Sequence, residues 1–328
     1  MRILFVTASR IGDAVLTSGL LAHLIAQYPK SEITLAAGTV AAPLFTETPN
    51  VNRVIALAKI RGGGHWFKLW TKVVTRRWDL VVDLRASALS YFLWARERRI
   101  FRRPPDNMHR VQALAQLFSL SPPPSPRIWP AADAQARAAQ LVPAGGIVLA
   151  ISPTANSQAK IWPKEKFSAL IAHLTEGEDA LFPGARVAVF SAPDERSAAL
   201  DVLHSVPADR RIDLAGTVDL LTAYACLERT NFFIGNDSGL MHLAAASGVP
   251  TLGLFGPSQE VHYAPWGNNA MSVRTDQSYE EIVNAPDFYF GIAQTRMQGL
   301  DVEKVATAAA KLWRHVKATA RDTQVSLR

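Results

Sequence analysis

The sequence predicts an α/β protein made of two Rossmann-like lobes, each built around a parallel β-sheet. Short apolar runs alternate with helical segments along the chain, and a proline-rich break divides it before the middle. The 328 residues suit two domains of ordinary size. A hydrophobic share of 48% against 19% charged residues is typical of a globular chain and argues against a disordered one.

The first lobe is predicted over residues 1–125. Its helix at residues 14–27 carries apolar side chains at helical spacing and ends at Tyr28-Pro29, where proline cannot continue it. Residues 121–126, Ser-Pro-Pro-Pro-Ser-Pro, then predict an extended connector, because so many prolines fit neither a helix nor a central strand. Short apolar runs predict four buried strands in this lobe, at residues 3–6, 33–36, 53–57 and 80–84.

The second lobe is predicted over residues 126–328, with the last helix of the chain expected either there or packed back on the first lobe. The single cysteine, Cys226, lies in an apolar run, which predicts a buried thiol and excludes a disulfide within the chain. The same patterns predict strands at residues 147–151, 186–190, 232–234 and 251–255, and helices at residues 131–141, 164–174, 194–204 and 240–246.

Basic residues are concentrated in one region of the chain. From Lys59 to Arg110 there are 13 Lys and Arg against 4 Asp and Glu, a net charge of +9, whereas the whole chain carries +7. Residues 96–103 are the densest part. Such a region suits nucleic acid, an acidic membrane surface or a phosphorylated substrate, or it is only a solvated face. Composition leaves these alternatives open.

Residues 231–242 predict a phosphate site in the second lobe. An apolar strand stops there, small residues turn the chain, and a helix begins at once. The first N–H groups of a helix lack intrahelical partners and its dipole attracts an anion, while Gly239 presents no Cβ to an approaching phosphate. The carboxyl end of a strand in an open α/β sheet is also where ligands bind. The alternative is that Asp237 or Ser238 merely caps the helix.

Two further loops of this lobe leave predicted strands. Lys160, in the loop at residues 152–160, offers a positive charge to a phosphate, or it is simply a solvated lysine. Glu195, in the loop at residues 190–195, offers a carboxylate to ribose hydroxyls, or it complements the dipole of the following helix.

The sequence lacks the motifs that are typical of several other kinds of active site. No Asp-x-Asp follows a strand and the histidines show no ligand spacing, so no metal site is expected. No G-x-S-x-G elbow or Walker loop occurs, and no G-x-G-x-x-G follows the first strand. The apolar run at residues 3–6 is too short for a signal peptide and no stretch could span a bilayer, so a cytoplasmic protein is expected.

Motifs through most of the chain resemble the heptosyltransferases of glycosyltransferase family 9. The most specific is Asp237-Ser238-Gly239-Leu240-Met241-His242-Leu243-Ala244-Ala245-Ala246 followed by Phe255-Gly256-Pro257-Ser258. The others, in the order of the family, are the motifs at residues 2–4, 11–17 (IGDAVLT), 79–85 (DLVVDLR), 160–163 (KIWP) and 213–217 (DLAGT).

The resemblance implies a GT-B fold whose two lobes face an interlobe cleft, with the donor nucleotide in the second lobe and the acceptor at the first. It implies transfer of a heptose from its ADP derivative to the lipopolysaccharide core, with inversion and with neither a metal nor another cofactor. Lys160 and the amides around Ser238-Gly239 are then expected to hold the diphosphate, Glu195 the ribose. The complete expected donor site is Thr154, Asn156, Lys160, Glu195, Asp237, Ser238, Gly239 and His242, of which Asp237 and His242 shape the pocket.

Asp13 is the expected general base, since an inverting transfer needs a group to take the acceptor proton. It follows the first strand, and Gly12 beside it is expected to give the backbone freedom. Without the resemblance, Asp13 is an ordinary N-cap.

The expected acceptor is an anionic lipid A–core, and nucleic acid is not expected as a partner. Gly12, Arg61, Arg98 and Arg99 are expected on the acceptor and membrane side, where a basic surface includes residues 96–103. Trp66, Phe67 and Trp70 lie among these cations, either in contact with a membrane interface or in the core. Two alternative functions stay open: another nucleotide sugar, transferred or epimerised, and nucleotide-sugar binding without turnover.

Overall fold

The computed structural model describes residues 1–102, 106–289 and 291–326, with side chains through residue 320. The chain divides into two compact units, Met1–Ala131 and Ala132–Arg328. Each unit contains one sheet whose strands are all parallel, with helices in the connections. The two Rossmann-like α/β lobes predicted from the sequence are therefore confirmed. The boundary between the two units lies between residues 131 and 132, whereas the sequence predicted it after residue 125.

The first unit has a sheet of five strands in the order β3-β2-β1-β4-β5. The chain winds from β1 to one side of the sheet and then from β4 to the other, so a topological switch point lies between β1 and β4. Both strands are almost wholly buried, as expected for central strands covered on two faces. The elements are β1 (Arg2–Val6), α1 (Ile11–Gln27), β2 (Glu32–Gly38), β3 (Val51–Leu57), α2 (Gly64–Val73), β4 (Trp78–Asp83), β5 (Ala95–Ile100) and α3 (Arg110–Ala115).

The basic segment at residues 96–103 was expected to form part of a charged surface; most of it forms a strand, in which Arg96 and Arg99 are exposed. Residues Ala95–Ile100 are β5, which pairs with β4 at the edge of the sheet. None of the β5 side chains is fully buried, so arginines are compatible with this edge strand and the apolar pattern of a buried strand is absent. Arg103 lies outside the described residues.

The proline-rich connector belongs to the first unit because it packs on α1. The Ser18 hydroxyl accepts a hydrogen bond from the Arg127 backbone N–H at 2.9 Å. A Cβ built on Gly19 would lie 2.6 Å from the Ser125 carbonyl oxygen, so only glycine allows this approach. These contacts extend the first unit beyond the prolines, which explains why the division falls later than the sequence predicted.

Replacing Gly19 by alanine should therefore destabilise the first unit. Helix propensity alone would give a gain of about 1 kcal/mol. The clash with backbone carbonyls should reverse that sign and give a net loss of about 1–3 kcal/mol, measured by urea unfolding. Gly299→Ala is the control, because a Cβ there meets nothing within 4 Å. A Gly19→Ala variant more stable than the parent would contradict the packing of the connector on α1.

The second unit has a sheet of six strands in the order β11-β10-β9-β6-β7-β8. Its switch point lies between β6 and β9, because the chain runs from β6 toward one edge and from β9 toward the other. The elements are α4 (Ala132–Leu141), β6 (Val148–Ser152), α5 (Lys164–Thr175), β7 (Arg186–Ser191), α6 (Arg196–His204), β8 (Arg211–Ala215), α7 (Leu220–Leu227), β9 (Phe232–Asn236), α8 (Gly239–Ser247), β10 (Thr251–Phe255), α9 (Glu260–Tyr263), β11 (Ala270–Arg274), α10 (Tyr279–Val283) and α11 (Val302–Ser326).

The last helix, α11, packs on the core of the second unit. Val305, Ala309 and Leu312 are buried in the same cluster as Trp162 and Phe167. Cys226 is fully buried on α7, as predicted, and burial raises the pKa of its thiol to about 11, so it is protonated at neutral pH. Within the described residues, no helix combines the length and hydropathy needed to cross a bilayer.

Candidate functional site

A pocket of about 750 Å³ lies in the first unit, where the strands of its sheet end. It is formed by the loops that follow β1, β3, β4 and β5, and by α3. Cationic side chains dominate its lining, and Asp13 is the one carboxylate among the described residues there. The charged lining residues are Arg10, Asp13, Lys59, Arg85, Arg102 and Arg110. The positive charges of the lining suit an anionic ligand. The Asp13 carboxylate is placed to accept a proton from a hydroxyl of that ligand.

Asp13 is the third residue of α1, and its N-cap is Arg10, so the alternative that Asp13 caps the helix is excluded. The side chain is half-buried, and within the described part of the chain it has no hydrogen-bond or ion-pair partner. Its place in the first turn favours a negative charge through the helix dipole. Gly12 lies inside the helix without a positive φ, so the predicted backbone freedom is not used there.

The loop after β4 brings Arg85 into this pocket, and buried Asp83 holds the loop in shape. The Asp83 carboxylate accepts bonds from the backbone N–H groups of Arg85 and Ser87, both at 2.9 Å, and from the hydroxyls of Ser87 and Ser90, both at 2.6 Å. Arg85 in turn donates to the Ser9 hydroxyl at 2.5 Å. The loops after β1 and β4 are thereby joined across the switch point.

The three arginines predicted for the acceptor side do not line this pocket. Arg61 is exposed in a short turn before α2. The Arg98 guanidinium donates to three backbone carbonyls, those of Ser90, Leu93 and Ala95, and so fixes the segment before β5. Arg99 pairs with Glu97 and lies over the Phe118 ring, 5.3 Å from its centroid. Arg98 and Arg99 thus already have partners within the unit.

A second polar site lies in the other unit, at the switch point between β6 and β9. Lys160 follows β6 and Asp237 follows β9, and the two side chains form an ion pair with an Nζ to Oδ2 distance of 2.5 Å. Asp237 is 7% exposed and Lys160 is 24% exposed. His242, on the first turns of α8, places Nε2 4.0 Å from the other Asp237 oxygen. The structure therefore brings together three of the predicted donor residues.

The expectation that Asp237 or Ser238 caps α8 is wrong. Ser238 occupies the N-cap position, but its side chain makes no capping hydrogen bond. Asp237 makes none either, because its carboxylate is turned toward Lys160. Gly239 begins the helix, so no side chain covers its first N–H groups. These groups form the positive end of the α8 dipole and are open to an anion.

Five buried polar atoms around this switch point have no hydrogen-bond partner among the described residues. They lie at or just after the ends of three neighbouring strands, β10, β9 and β6. An unsatisfied buried polar group costs about 1–3 kcal/mol, so such a concentration indicates a site that a polar ligand completes. The atoms are Ser152 Oγ, Thr154 Oγ1, Asn236 Nδ2, Ser238 Oγ and Ser258 Oγ.

The two remaining predicted donor residues lie in loops of the same edge. Asn156 is exposed after β6, and half-buried Glu195 ends the short turn after β7. Neither side chain bonds to the other predicted donor residues within the described part of the chain. Arg196, next to Glu195, is anchored to Asp213 at 2.7 Å, and this hydrogen bond lowers the pKa of the Asp213 carboxyl.

Several residues of both sites were not predicted from the sequence. In the first unit these are Arg10, Lys59, Arg85 and Arg110; in the second, Ser152, Asn236 and Ser258. Most of them share one signal, namely that they stand at or just after the end of a parallel strand. The position after a strand could be identified from the sequence wherever the strand itself was predicted. Arg102 belongs to the predicted basic surface at residues 96–103, but its place in the pocket follows from strand β5, which was not predicted.

Two doubly wound units, each with a polar site at its switch point, define a two-lobed α/β protein that binds a ligand in each unit. The chain belongs to glycosyltransferase family 9 (heptosyltransferase), whose model matches residues 84–287, and it is accordingly a glycosyltransferase. Lipopolysaccharide heptosyltransferase 3 of Escherichia coli is 25% identical over an alignment 298 positions long, which covers 79% of this chain and 84% of that protein.

Solved structures show the same fold. The family 9 glycosyltransferase of Veillonella parvula has a TM-score of 0.76 at 20% identity, over 95% of this chain and 96% of that one. Heptosyltransferase WaaC of E. coli, solved with ADP, has a TM-score of 0.70 at 19% identity, over 95% of this chain and 100% of that one. The fold is thus the GT-B fold of the heptosyltransferases, as the sequence predicted.

Proposed function

We propose that this chain is an inverting, metal-independent heptosyltransferase that moves a heptose from ADP-heptose to an anionic lipopolysaccharide core acceptor. The relatives supply the sugar, the nucleotide and the acceptor class: they include lipopolysaccharide heptosyltransferases and one structure with ADP. The observation that carries the proposal is the group of unpartnered buried polar atoms beside Lys160 and the N-terminus of α8. These features suit a nucleoside diphosphate.

In this proposal the second unit stabilises the leaving group. Lys160 and the amides at the start of α8 hold the diphosphate, where they offset the charge that grows as the sugar–phosphate bond breaks. Ser238, Thr154 and Asn236 supply hydrogen bonds from otherwise unpartnered atoms. Because a fixed ammonium group and helix amides supply positive charge, the proposed mechanism requires no divalent cation at the diphosphate.

The first unit is proposed to bind the acceptor and take its proton. The cations of the pocket, including Arg85 and Lys59, attract the phosphate and carboxylate groups of the acceptor. The Asp13 carboxylate takes the proton of the acceptor hydroxyl while that oxygen bonds to the anomeric carbon. The bond from that carbon to the diphosphate breaks in the same displacement, and ADP leaves with the electron pair. A single displacement inverts the anomeric centre.

The proposal includes a cytoplasmic location and contact with the membrane in which a lipid A–core acceptor is anchored. The basic first unit supports such contact, since residues 59–110 carry a net charge of +9.

Calorimetric titration with ADP, UDP and GDP tests the donor. We expect ADP to bind most tightly, with the same affinity whether Mg²⁺ is present or absent. An ADP-heptose transfer assay then follows. Preference for UDP or GDP would keep the fold and change the donor, and an affinity that depends on Mg²⁺ would overturn the metal-independent mechanism. If none of the three binds, a nucleotide-sugar substrate is contradicted.

A further inference from the structure

A cluster of exposed aromatic side chains lies on the first unit, outside the pocket. It consists of Phe67 on α2 and of Tyr91, Phe92 and Trp94 in the segment before β5, and we name it the aromatic surface. Their exposed fractions are 66%, 62%, 70% and 66%. They are four of the eight large hydrophobic side chains exposed in the described part of the chain.

Trp70 links two members of the aromatic surface, Phe67 and Phe92. The Trp70 indole N–H donates to the Phe92 carbonyl oxygen at 3.2 Å, and the Trp70 ring stacks with Phe67 at a centroid distance of 5.8 Å. Trp94 is covered on one side by the Arg77 guanidinium, 4.1 Å from the ring centroid. Trp66 and Trp70 are half-buried against the core, so Phe67 is the predicted aromatic that faces water.

Exposed cations flank this surface, and few acids oppose them. Residues 61–96 contain seven Lys and Arg against two Asp. One of these acids, Asp83, is fully buried, and the other, Asp79, accepts a bond from the Arg2 backbone N–H at 2.7 Å. The side chains of Lys68, Lys72 and Arg77 are exposed. Aromatic rings surrounded by Lys and Arg are typical of elements that lie in the headgroup region of a bilayer.

We propose that the aromatic surface docks the first unit on an anionic lipid bilayer. Its charge fits the negative headgroups, and the aromatic rings enter the interface that those headgroups form. A second copy of this chain fits less well, because it would oppose one basic surface with another. This proposal rests on the proposed function, because an enzyme whose acceptor is anchored in a membrane reaches that acceptor at the membrane surface.

The same two segments build both the aromatic surface and the pocket. On α2, Trp66 lines the pocket while Phe67 faces water. In the loop after β4, Arg85 lines the pocket while Tyr91 and Phe92 are exposed. Docking through the aromatic surface would therefore bring the pocket to the headgroup layer, where the sugar chain of a lipid-linked acceptor begins.

Vesicle co-sedimentation of the full chain tests this docking. Vesicles of phosphatidylcholine alone are compared with vesicles that also contain phosphatidylglycerol, and binding is expected only to the anionic ones, weakening with salt. The double variant Phe92→Ser/Trp94→Ser should lower the partition coefficient at least about tenfold. Lys68→Gln/Lys72→Gln should lower it by about fivefold for each lysine. Tyr289→Ser is the matched control, since Tyr289 is 62% exposed on the other unit.

The control must bind like the parent, and all variants must keep the parent melting temperature. Absent binding to anionic vesicles, or undiminished binding by the Phe92/Trp94 variant, would overturn the proposal. So would light scattering that shows a dimer abolished by this variant, because a second copy would then occupy the surface. The vesicle assay contains no nucleotide. ADP titration of the same variants therefore reports separately on the proposed function.

Discussion

Asp13→Asn is expected to lower kcat for sugar transfer by about 10²–10⁴-fold, the usual range for loss of a general base. Asparagine keeps the size of the side chain but cannot accept the acceptor proton. The affinity for ADP should stay unchanged, because Asp13 lies in the first unit and the proposed donor site lies in the second. The measurement is release of ADP from ADP-heptose in the presence of a lipid A–core acceptor.

Two comparisons separate a chemical role of Asp13 from a structural one. The substitution removes a carboxylate from the first turn of α1, which should cost only about 0.3–1 kcal/mol of stability. Glu47→Gln removes an exposed carboxylate of the same unit and should leave transfer intact. If Asp13→Asn transfers sugar as fast as the parent, Asp13 is not the base. If it loses ADP affinity as well, its role is not confined to the proton transfer.

The sequence predicted the sheets because their central strands are buried on both faces. The run Ile3-Leu4-Phe5-Val6 and the run Leu80-Val81-Val82 in its partner β4 are apolar, and such short apolar runs between helices predict parallel strands. The edge strand β5 was missed for the converse reason. Its sequence, Ala-Arg-Glu-Arg-Arg-Ile, has no apolar alternation because none of its side chains is fully buried, and charge was the only pattern visible.

The residue types of the donor site could be predicted, whereas their pairing could not. Lys160 and Asp237 are 77 positions apart and meet because β6 and β9 are neighbours in the sheet. Strand order is not visible in one sequence, so Asp237 was placed in the donor site without its ion pair to Lys160. Similarly, the pocket cations come from four different strand ends, and only the order β3-β2-β1-β4-β5 collects them at one edge.

Lys160→Met is expected to weaken ADP binding by about 10–100-fold, the range for loss of a hydrogen bond to a charged group. It should also destabilise the second unit by on the order of 1–3 kcal/mol, since it leaves the buried Asp237 carboxylate without its cation. Calorimetry with ADP and urea unfolding measure the two effects. Lys164→Met is the control: Lys164 forms an exposed pair with Asp201, and exposed pairs contribute little.

The double variant Lys160→Met/Asp237→Asn distinguishes two roles that the single variant combines. If Lys160 binds the diphosphate directly, removing the Asp237 charge should restore stability and relieve its repulsion of the phosphates, but affinity should stay well below the parent value. If Lys160 serves only to neutralise Asp237, the double variant should bind ADP as the parent does. The second result would assign the diphosphate to the amides of α8 and to the unpartnered hydroxyls beside them, with Lys160 as their support.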